Sequence, residues 1–167
     1  MKKILSISAL AILIAMGCNS QPASQTEKNT AQVAQQVPET KPVQLNKQMF
    51  LDEIDDYESN PEQWNYKGEL PGLIDFYADW CRPCRITSPI MEELAVEYAG
   101  KIKFYKVDVQ KEQELAAIFG VQSIPAFLFI PKDDTPVMSA GIAATPEQTK
   151  EMFRQQIDEI LLNKTNN

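Results

Sequence analysis

Apolar residues between positions 46 and 162 occur in two alternating patterns, which predict strands that alternate with helices. Short and mostly apolar runs, typical of strands buried on both faces, lie at 72–78, 102–109, 126–130 and, more weakly, 136–140. Runs with one apolar face, typical of amphipathic helices, lie at 46–59, 82–99, 112–119 and from 145 onwards. A short strand is also predicted at 63–66. This order predicts an α/β fold with a central mixed β-sheet and helices on both of its faces.

Several residues mark the ends of the predicted helices. Asn46 and Thr145 suit N-caps, because their side-chain oxygens can accept hydrogen bonds from the first helical turn. Pro146 follows at the first helical position, where proline is tolerated. Gly100 suits the end of the helix at 82–99, and Pro89 within that helix is expected to kink it.

The first 45 residues carry a different pattern, which predicts an export signal followed by a polar linker. Two lysines precede an apolar stretch at 4–16, which is too short to span a bilayer and suits a secretory signal peptide at 1–17. Residues 18–45 are rich in Gln, Ser, Thr, Pro and Ala and contain no aromatic residue. Such a segment buries too little apolar surface to offset the entropy of ordering it, so we predict a flexible tether. The folded domain is therefore predicted at 46–167.

Cys18 stands at the predicted cleavage site, and its surroundings favour lipid attachment. The Gly17-Cys18 pair resembles the bacterial lipobox, although Ala15 occupies a position where that motif usually has leucine. Acylation of Cys18 would tether the domain to a membrane, whereas ordinary cleavage after Gly17 would leave a free N-terminal thiol. A cysteine present by chance is the third alternative. In each case the signal predicts an exported, periplasmic protein, which in the favoured case is anchored through Cys18.

Composition and charge exclude several classes of function. Lys and Arg number 16 against 23 Asp and Glu, which gives a formal net charge of −7 and disfavours binding to nucleic acids or anionic membranes. The chain has no histidine, so Ser-His-Asp and Cys-His hydrolases and histidine-ligated metals are ruled out. Three cysteines cannot complete a four-cysteine zinc site within one chain. Neither a metal nor another cofactor is therefore expected.

Two cysteines separated by two residues, Cys81 and Cys84, lie between the predicted strand at 72–78 and the predicted helix at 82–99. The motif alone is compatible with half of a metal site, a structural disulfide, a redox pair or an accident. A metal site lacks further ligands, and so short a disulfide ring gains little stability from loop closure. At a helix start Cys81 meets unpaired N–H groups and the positive end of the helix dipole, which favour its nucleophilic thiolate. We therefore predict a redox-active Cys81–Cys84 disulfide, with Arg82 and Arg85 adding positive charge.

These residues are part of a longer pattern that resembles the thioredoxin family over most of the predicted domain, from Phe50 to Leu162. The segments that carry the resemblance are 75–84, Pro89, 106–108, 123–125 and Gly141. Pro125 follows Cys81 by 44 residues, as in plain thioredoxins, and this spacing leaves no room for the helical insertion of the periplasmic disulfide oxidases. The resemblance implies the thioredoxin fold and thiol–disulfide exchange, in a form like a periplasmic, tethered thioredoxin.

The resemblance also implies roles for individual residues. Cys81 would attack a substrate disulfide, and Cys84 would resolve the mixed disulfide that forms. Asp75, six residues before Cys81, would be a buried carboxyl whose raised pKa lets it exchange a proton with Cys84. Lys106 would pair with this carboxyl. A purely structural ion pair between Asp75 and Lys106 is the alternative.

Further matches imply a docking groove and residues that tune the redox chemistry. The residues that would line an apolar groove for the substrate peptide are Trp80, Ile124, Pro125 and Gly141. A cis bond before Pro125 would present the backbone of Ile124 to the peptide as if the peptide were an added strand, and an ordinary edge-strand proline is the alternative. Arg82 and Pro83, between the two cysteines, would tune the redox potential.

The sequence departs from the family pattern at three places. Arg82 replaces the usual glycine between the cysteines, Tyr77 stands where a second tryptophan is common, and Ser123 and Ala126 flank the Ile-Pro pair. Arg82 favours the Cys81 thiolate and hence the reduced protein, so we expect a somewhat more oxidising couple. Redox potentials on this fold span about 150 mV, a range that one exposed arginine does not cover.

The favoured function is a protein-disulfide reductase of the cell envelope, a monomer that acts on oxidised proteins and is recharged by a membrane electron transporter. A disulfide oxidase or isomerase would use the same residues in the opposite net direction. A cytochrome-c-maturation thiol reductase is a third candidate, although such relatives commonly carry an insertion for which the spacing leaves no room. A tethered binding module with incidental cysteines is the fourth, and it is disfavoured by the set Asp75, Cys81, Cys84, Lys106 and Pro125.

Overall fold

A five-stranded β-sheet forms the centre of the computed structural model, which describes residues 39–163. Its strands are β1 Val43–Gln44, β2 Gly72–Tyr77, β3 Lys103–Asp108, β4 Ala126–Ile130 and β5 Val137–Ala140. They lie in the order β1-β3-β2-β4-β5. β1, β3 and β2 run parallel to one another, whereas β4 is antiparallel to both of its neighbours. The predicted mixed sheet is therefore confirmed.

Four α-helices of the described residues cover the two faces of this sheet. They are α1 Lys47–Glu53, α2 Cys84–Glu97, α3 Gln113–Ile118 and α4 Pro146–Gln156, the last continued by a π-helical turn at Ile157–Leu161. On one face, α2, α4 and the π-helical turn pack in a buried cluster that includes Leu73 and Phe153. On the other face, α1 and α3 pack in a cluster around Phe50 and Leu115. The prediction of helices on both faces is also confirmed.

Local signals in the sequence place several helix ends. The side chain of Asn46 accepts a hydrogen bond from the Met49 N–H at 2.9 Å. The hydroxyl oxygen of Thr145 accepts one from the Gln148 N–H at 3.2 Å. Gly100, just beyond α2, has a φ of 74°, a conformation that favours glycine. These residues help to set the starts of α1 and α4 and the end of α2.

Alternation along β2 decides which side chains reach the face that α2 covers. Leu73 belongs to the cluster under α2 and α4, whereas Ile74 belongs to the cluster on the opposite face. Because successive strand residues point to opposite faces, Asp75 lies on the same face as Leu73. The chain leaves β2 at Tyr77 and enters α2 at Cys84. The turn that carries the two cysteines therefore follows directly from the strand that carries Asp75.

Two predicted elements differ from the structure. α1 is shorter than predicted, because the carboxylate of Asp56 accepts a hydrogen bond from the Ser59 N–H at 3.2 Å and favours a turn over a longer helix. No strand forms at 63–66. Instead the rings of Trp64 and Tyr66 stack with their centres 6.4 Å apart, and both pack against the cluster beneath α1 and α3. This packing produces a strand-like alternation of side chains without a partner strand.

The sheet begins earlier than the predicted start of the domain. β1 lies within the predicted tether, where Val43 pairs with Tyr105 and Gln44 pairs with Lys106 on β3. Leu45, which follows directly, is fully buried. The hydrophobic pattern did not predict this strand because two residues are too few to show a periodicity.

The predictions for the N-terminus lie outside the described residues. They are the signal peptide at 1–17, the cleavage or acylation site at Cys18, and the tether as far as residue 38. Within 39–163, every helix is too short or too polar to cross a membrane.

Candidate active site

The Cys81–Cys84 disulfide closes the turn between β2 and α2. Its sulfur atoms are 2.04 Å apart and the two Cα atoms are 5.3 Å apart. The exposed fractions are 3% for Cys81 and 1% for Cys84, so burial alone does not separate an attacking from a resolving sulfur. Position distinguishes them, since Cys84 is the first residue of α2 and Cys81 precedes the helix. Within 39–163, no group of three or more His, Cys, Asp or Glu side chains is placed so that it could hold a metal ion.

The start of α2 places hydrogen-bond donors around Cys81. The backbone N–H of Cys84 donates to the Sγ atom of Cys81 at 3.2 Å. The backbone N–H of Arg85 donates to the Cys81 carbonyl at 3.3 Å. The positive end of the α2 dipole lies at the same place. When the disulfide is reduced, the Cys84 N–H and the helix dipole favour the thiolate of Cys81, which is the form that attacks other disulfides.

Asp75 is a buried carboxyl with an unusual lack of partners. The residue is 4% exposed, and its Oδ1 atom has no hydrogen-bond partner among the described residues. Burial raises the pKa of Asp75 to about 7, and the charge of Lys106 opposes this rise. Both protonation states are therefore populated at neutral pH. This behaviour suits a group that takes up a proton and returns it during a reaction.

Lys106 lies directly opposite Asp75 in the register of β2 and β3. Its ammonium nitrogen is 5.7 Å from the centre of the Tyr77 ring, within the range of a cation–π interaction. The structure therefore places the two residues opposite each other on neighbouring strands, and no direct ion pair joins their side chains. The charge of Lys106 favours the carboxylate form of Asp75 and limits how far burial raises its pKa.

A cleft of about 340 Å³ opens next to the disulfide, and its lining residues are Trp80, Val109, Val121, Gln122, Ser123 and Ile124. Trp80 is 65% exposed, and Ile124 packs against the buried cluster that contains both cysteines. The peptide bond between Ile124 and Pro125 is cis. The Gly141 N–H donates a hydrogen bond to the Pro125 carbonyl at 3.2 Å. Of the four residues predicted for the groove, two line this cleft and two are connected to it through the backbone.

The cleft contains residues that the sequence did not predict. Val109 follows β3 directly, and the carboxyl ends of the parallel strands β2 and β3 meet at one edge of the sheet. The general rule that sites form at the carboxyl ends of parallel strands could have indicated Val109 as a neighbour of the cysteines. Val121 and Gln122 lie in the segment between α3 and β4, where no pattern marks them.

Arg82 and Pro83 occupy different environments between the two cysteines. Arg82 is exposed, whereas Pro83 is half-buried and adopts helical angles, φ −64° and ψ −32°, at the N-cap position of α2. The fixed φ of proline suits this start of a helix. The side chain of Arg82 is thus free to act on the site mainly through its charge.

Arg82→Gln is expected to make the protein more reducing. The arginine charge stabilises the Cys81 thiolate of the reduced protein, whereas the disulfide has no thiolate for it to act on. The reduction potential should fall by about 6–20 mV at low salt and by less at high salt. Titration against glutathione buffers at two salt concentrations measures this shift, with Arg82→Lys as the control that keeps the charge. An unchanged or higher potential in Arg82→Gln at low salt would contradict the prediction.

Comparison with known proteins identifies relatives with similar sequences. The family model described as Thioredoxin matches residues 42–159. A thioredoxin of Borreliella burgdorferi is 46% identical over 99 residues, which cover 59% of this chain and 84% of that protein. Thioredoxin C-2 of Corynebacterium nephridii is 40% identical over 88 residues, which cover 53% of this chain and 80% of that protein.

Solved structures show the same architecture. A mutant thioredoxin from Halobacterium salinarum matches with a TM-score of 0.55 at 24% identity, covering 74% of this chain and 93% of that chain. Chloroplastic thioredoxin z matches with a TM-score of 0.53 at 25% identity, covering 69% and 93% of the two chains. These matches confirm the thioredoxin fold that the sequence predicts.

The match to the family model extends from just before β1 to the π-helical turn after α4, and it includes the whole active-site segment. Relatives at 40–46% identity are thioredoxins. The protein is accordingly an enzyme, a thiol–disulfide oxidoreductase that acts on oxidised proteins with the help of a reductant. On the sequence match and the fold together, this chain belongs to the thioredoxin family.

Proposed function

We propose that the protein is a disulfide reductase of the cell envelope, whose reduced Cys81–Cys84 pair passes two electrons to disulfides in oxidised proteins. The observation that carries the proposal is the position of this pair at the start of α2, next to the strand that holds the buried Asp75. The helix start favours one thiolate for attack. The carboxyl, with a pKa of about 7, can accept the proton of the second thiol.

The proposed reaction starts with the Cys81 thiolate. It attacks one sulfur of the substrate disulfide, forms a mixed disulfide and releases the other substrate sulfur, which takes up a proton from water. The Asp75 carboxylate then accepts the proton of the Cys84 thiol, and the resulting thiolate attacks the Cys81 sulfur. The second substrate sulfur leaves and receives that proton. The substrate gains two thiols, and the enzyme is left with the Cys81–Cys84 disulfide.

The cleft beside the disulfide gives the substrate a place to bind. An apolar side chain near the substrate cysteine would lie against Trp80 and Ile124, which line the cleft. Val109 and Val121 extend this apolar surface, whereas Gln122 adds a polar group at its margin. A small cleft with both apolar and polar lining residues is better suited to binding many different unfolded or flexible segments than to binding a single specific ligand.

We propose that this reaction takes place in the periplasm, with Cys18 as a lipid anchor. The support is the lysine pair, the apolar stretch at 4–16 and the Gly17-Cys18 pair. The cell envelope is oxidising, so a reductase there needs electrons from elsewhere, and a membrane electron transporter is the proposed reductant. Because each chain carries a complete dithiol site, the proposed working form is a monomer.

Arg82 favours a second candidate function, that of a disulfide oxidase or isomerase. Its positive charge stabilises the reduced protein and so makes the couple more oxidising. The residues and the chemical steps stay the same, and only the net direction changes.

Reduction of insulin disulfides tests the proposed function. With dithiothreitol as electron donor, the wild-type chain is expected to precipitate the insulin B chain at a rate proportional to the enzyme concentration. The double variant Cys81→Ser/Cys84→Ser keeps the cleft and the fold and serves as the control. A rate equal to that of dithiothreitol alone would overturn the proposal. Faster oxidation of a reduced substrate than reduction of insulin would establish the oxidase function instead.

Lipid attachment is tested separately by Cys18→Ser. The wild-type protein is expected to incorporate a labelled fatty acid and to partition into detergent, because Cys18 follows the signal directly. The variant should lose both properties and keep the rate of insulin reduction. A mature wild-type chain that begins with an unmodified Cys18 would contradict the lipoprotein assignment and leave the reductase proposal standing.

A further inference from the structure

Gln44, the last residue of β1, connects that edge strand to the strands that carry Lys106 and the buried Asp75. Its Oε1 atom accepts a hydrogen bond from the Tyr77 hydroxyl at 2.9 Å. Its Nε2 atom donates to the Lys106 carbonyl at 3.2 Å. Because Gln44 pairs with Lys106 in the register of β1 and β3, its side chain spans β3 to reach Tyr77 on β2.

Tyr77 links this hydrogen bond to the ammonium group of Lys106. The Lys106 nitrogen lies 5.7 Å from the centre of the Tyr77 ring. Tyr77 is two residues from Asp75 on β2, so both side chains lie on the same face of the sheet. Gln44 fixes the hydroxyl end of the ring, and the ring in turn provides a favourable surface for the lysine charge. The three residues form a chain of contacts, and Lys106 at its end lies opposite Asp75 in the register of β2 and β3.

We propose that Gln44 and Tyr77 are positioning residues, which hold the Lys106 ammonium beside Asp75 and so control the protonation of the carboxyl that serves Cys84. The inference deepens the proposed function and rests on it for the role of Asp75. The geometry that carries it, two hydrogen bonds and one cation–π contact, stands independently of any activity.

Other charged groups near this face do not replace Lys106. Those that act on Tyr77 from β2, β3 and the segments that follow these two strands are Asp75, Asp79, Asp108 and Lys111. Lys111 forms a salt bridge with Asp108 at 3.2 Å, so these two charges largely compensate each other. On β4, the residue that pairs with Asp75 is the apolar Phe127. On α2, Cys84 does not titrate while it is in the disulfide. In the oxidised protein Lys106 is therefore the charge that opposes the effect of burial on Asp75.

The titration of Asp75 in the oxidised full chain tests the proposal. Carboxyl-carbon NMR of wild type, Tyr77→Leu and Gln44→Leu measures the pH midpoint of this one group. Loss of either positioning side chain lets the ammonium move toward solvent, so the midpoint should rise by about half a pH unit. Tyr77→Phe, which keeps the ring and loses the hydroxyl, should give a smaller rise. A side chain that merely shielded Asp75 from water would give the opposite sign, because better hydration lowers the midpoint.

A second background separates positioning from other effects of the substitutions. A chain that already carries Lys106→Met has lost the charge that Tyr77 and Gln44 position. In that chain, the further substitution Tyr77→Leu or Gln44→Leu should no longer raise the pH midpoint of Asp75. An unchanged or lowered midpoint in the chain that keeps Lys106, or an equal rise with and without the lysine, overturns the proposal. Gln44 is exposed, so its variant keeps the test valid if the Tyr77→Leu chain fails to fold. Shifted titrations with unaltered insulin reduction would count against the role of Asp75 in catalysis and not against positioning.

Discussion

Cys84→Ser is expected to accumulate covalent complexes with substrate proteins, whereas Cys81→Ser is expected to lose disulfide exchange altogether. Cys81 precedes α2, where the Cys84 N–H and the helix dipole favour its thiolate. The serine substitution at position 84 leaves this attack possible but removes the thiol that resolves the mixed disulfide. The complexes should appear as high-mass bands on gels run without reductant and should disappear after treatment with dithiothreitol.

The third cysteine of the chain needs a control in this experiment. Cys18→Ser in every variant ensures that each covalent complex forms through the pair at α2. Since Cys81 and Cys84 are almost equally buried, the assignment of roles depends on their positions relative to the helix. Equal trapping by both single variants would show that this assignment is wrong.

Asp75→Asn is expected to slow exchange and, at the same time, to stabilise the oxidised protein. Asparagine cannot accept the proton of Cys84, and loss of a general base typically costs about 100-fold or more in rate. The reduction rate at pH 7 should fall by about that factor. Rapid-mixing measurements of single turnover with insulin separate this step from the initial attack by Cys81.

The stability effect of Asp75→Asn has a definite pH dependence. The pKa of Asp75 is about 7 in the folded protein, against 3.8 for an unperturbed aspartate carboxyl. The folded state therefore holds this proton more tightly, and the free energy of unfolding falls as the pH rises from about 4 to about 7. About three pH units correspond to about 4 kcal/mol. The increase in the free energy of unfolding that Asp75→Asn causes should be near zero below pH 4 and reach at most about 4 kcal/mol above pH 7.

Urea unfolding of the oxidised protein at pH 4 and pH 8 measures this difference. Asp108→Asn is a matched control, because Asp108 is equally buried but accepts a hydrogen bond from the Gln110 N–H at 3.0 Å and pairs with Lys111. Its substitution should destabilise the protein at pH 8. If the free energies of unfolding of wild type and Asp75→Asn changed with pH in parallel across this range, the raised pKa of the buried Asp75 carboxyl would be contradicted.

The dithiol site could be predicted because its signals are local. The spacing of Cys81 and Cys84 and the helix start lie within a few residues, so one short segment contains the evidence. Asp75 also stood out locally, as a charged residue in the apolar run at 72–78. The strands and helices around them have clear periodicities, and their order was sufficient to predict a mixed sheet covered on both faces.

The contacts around Lys106 could not be predicted, because they join distant parts of the chain. Gln44 bonds to Tyr77 and to Lys106 across 33 and 62 positions of sequence. β1 is too short to produce a hydrophobic period, so the sequence assigned it to the tether. The alternation of Trp64 and Tyr66 resembled a strand but reflects packing of two rings against the core. Such features depend on which elements become neighbours and not on local patterns.

The equilibrium reduction potential of the Cys81–Cys84 pair tests the central claim, that this dithiol is a reductant of protein disulfides. The chain is equilibrated with glutathione buffers, quenched by alkylation, and its oxidised fraction is measured by mass spectrometry. We predict a potential between about −270 and −200 mV, since the site is that of a thioredoxin with a modest oxidising contribution from Arg82. A potential above about −180 mV, in the range of isomerases and oxidases, would contradict the reductase assignment.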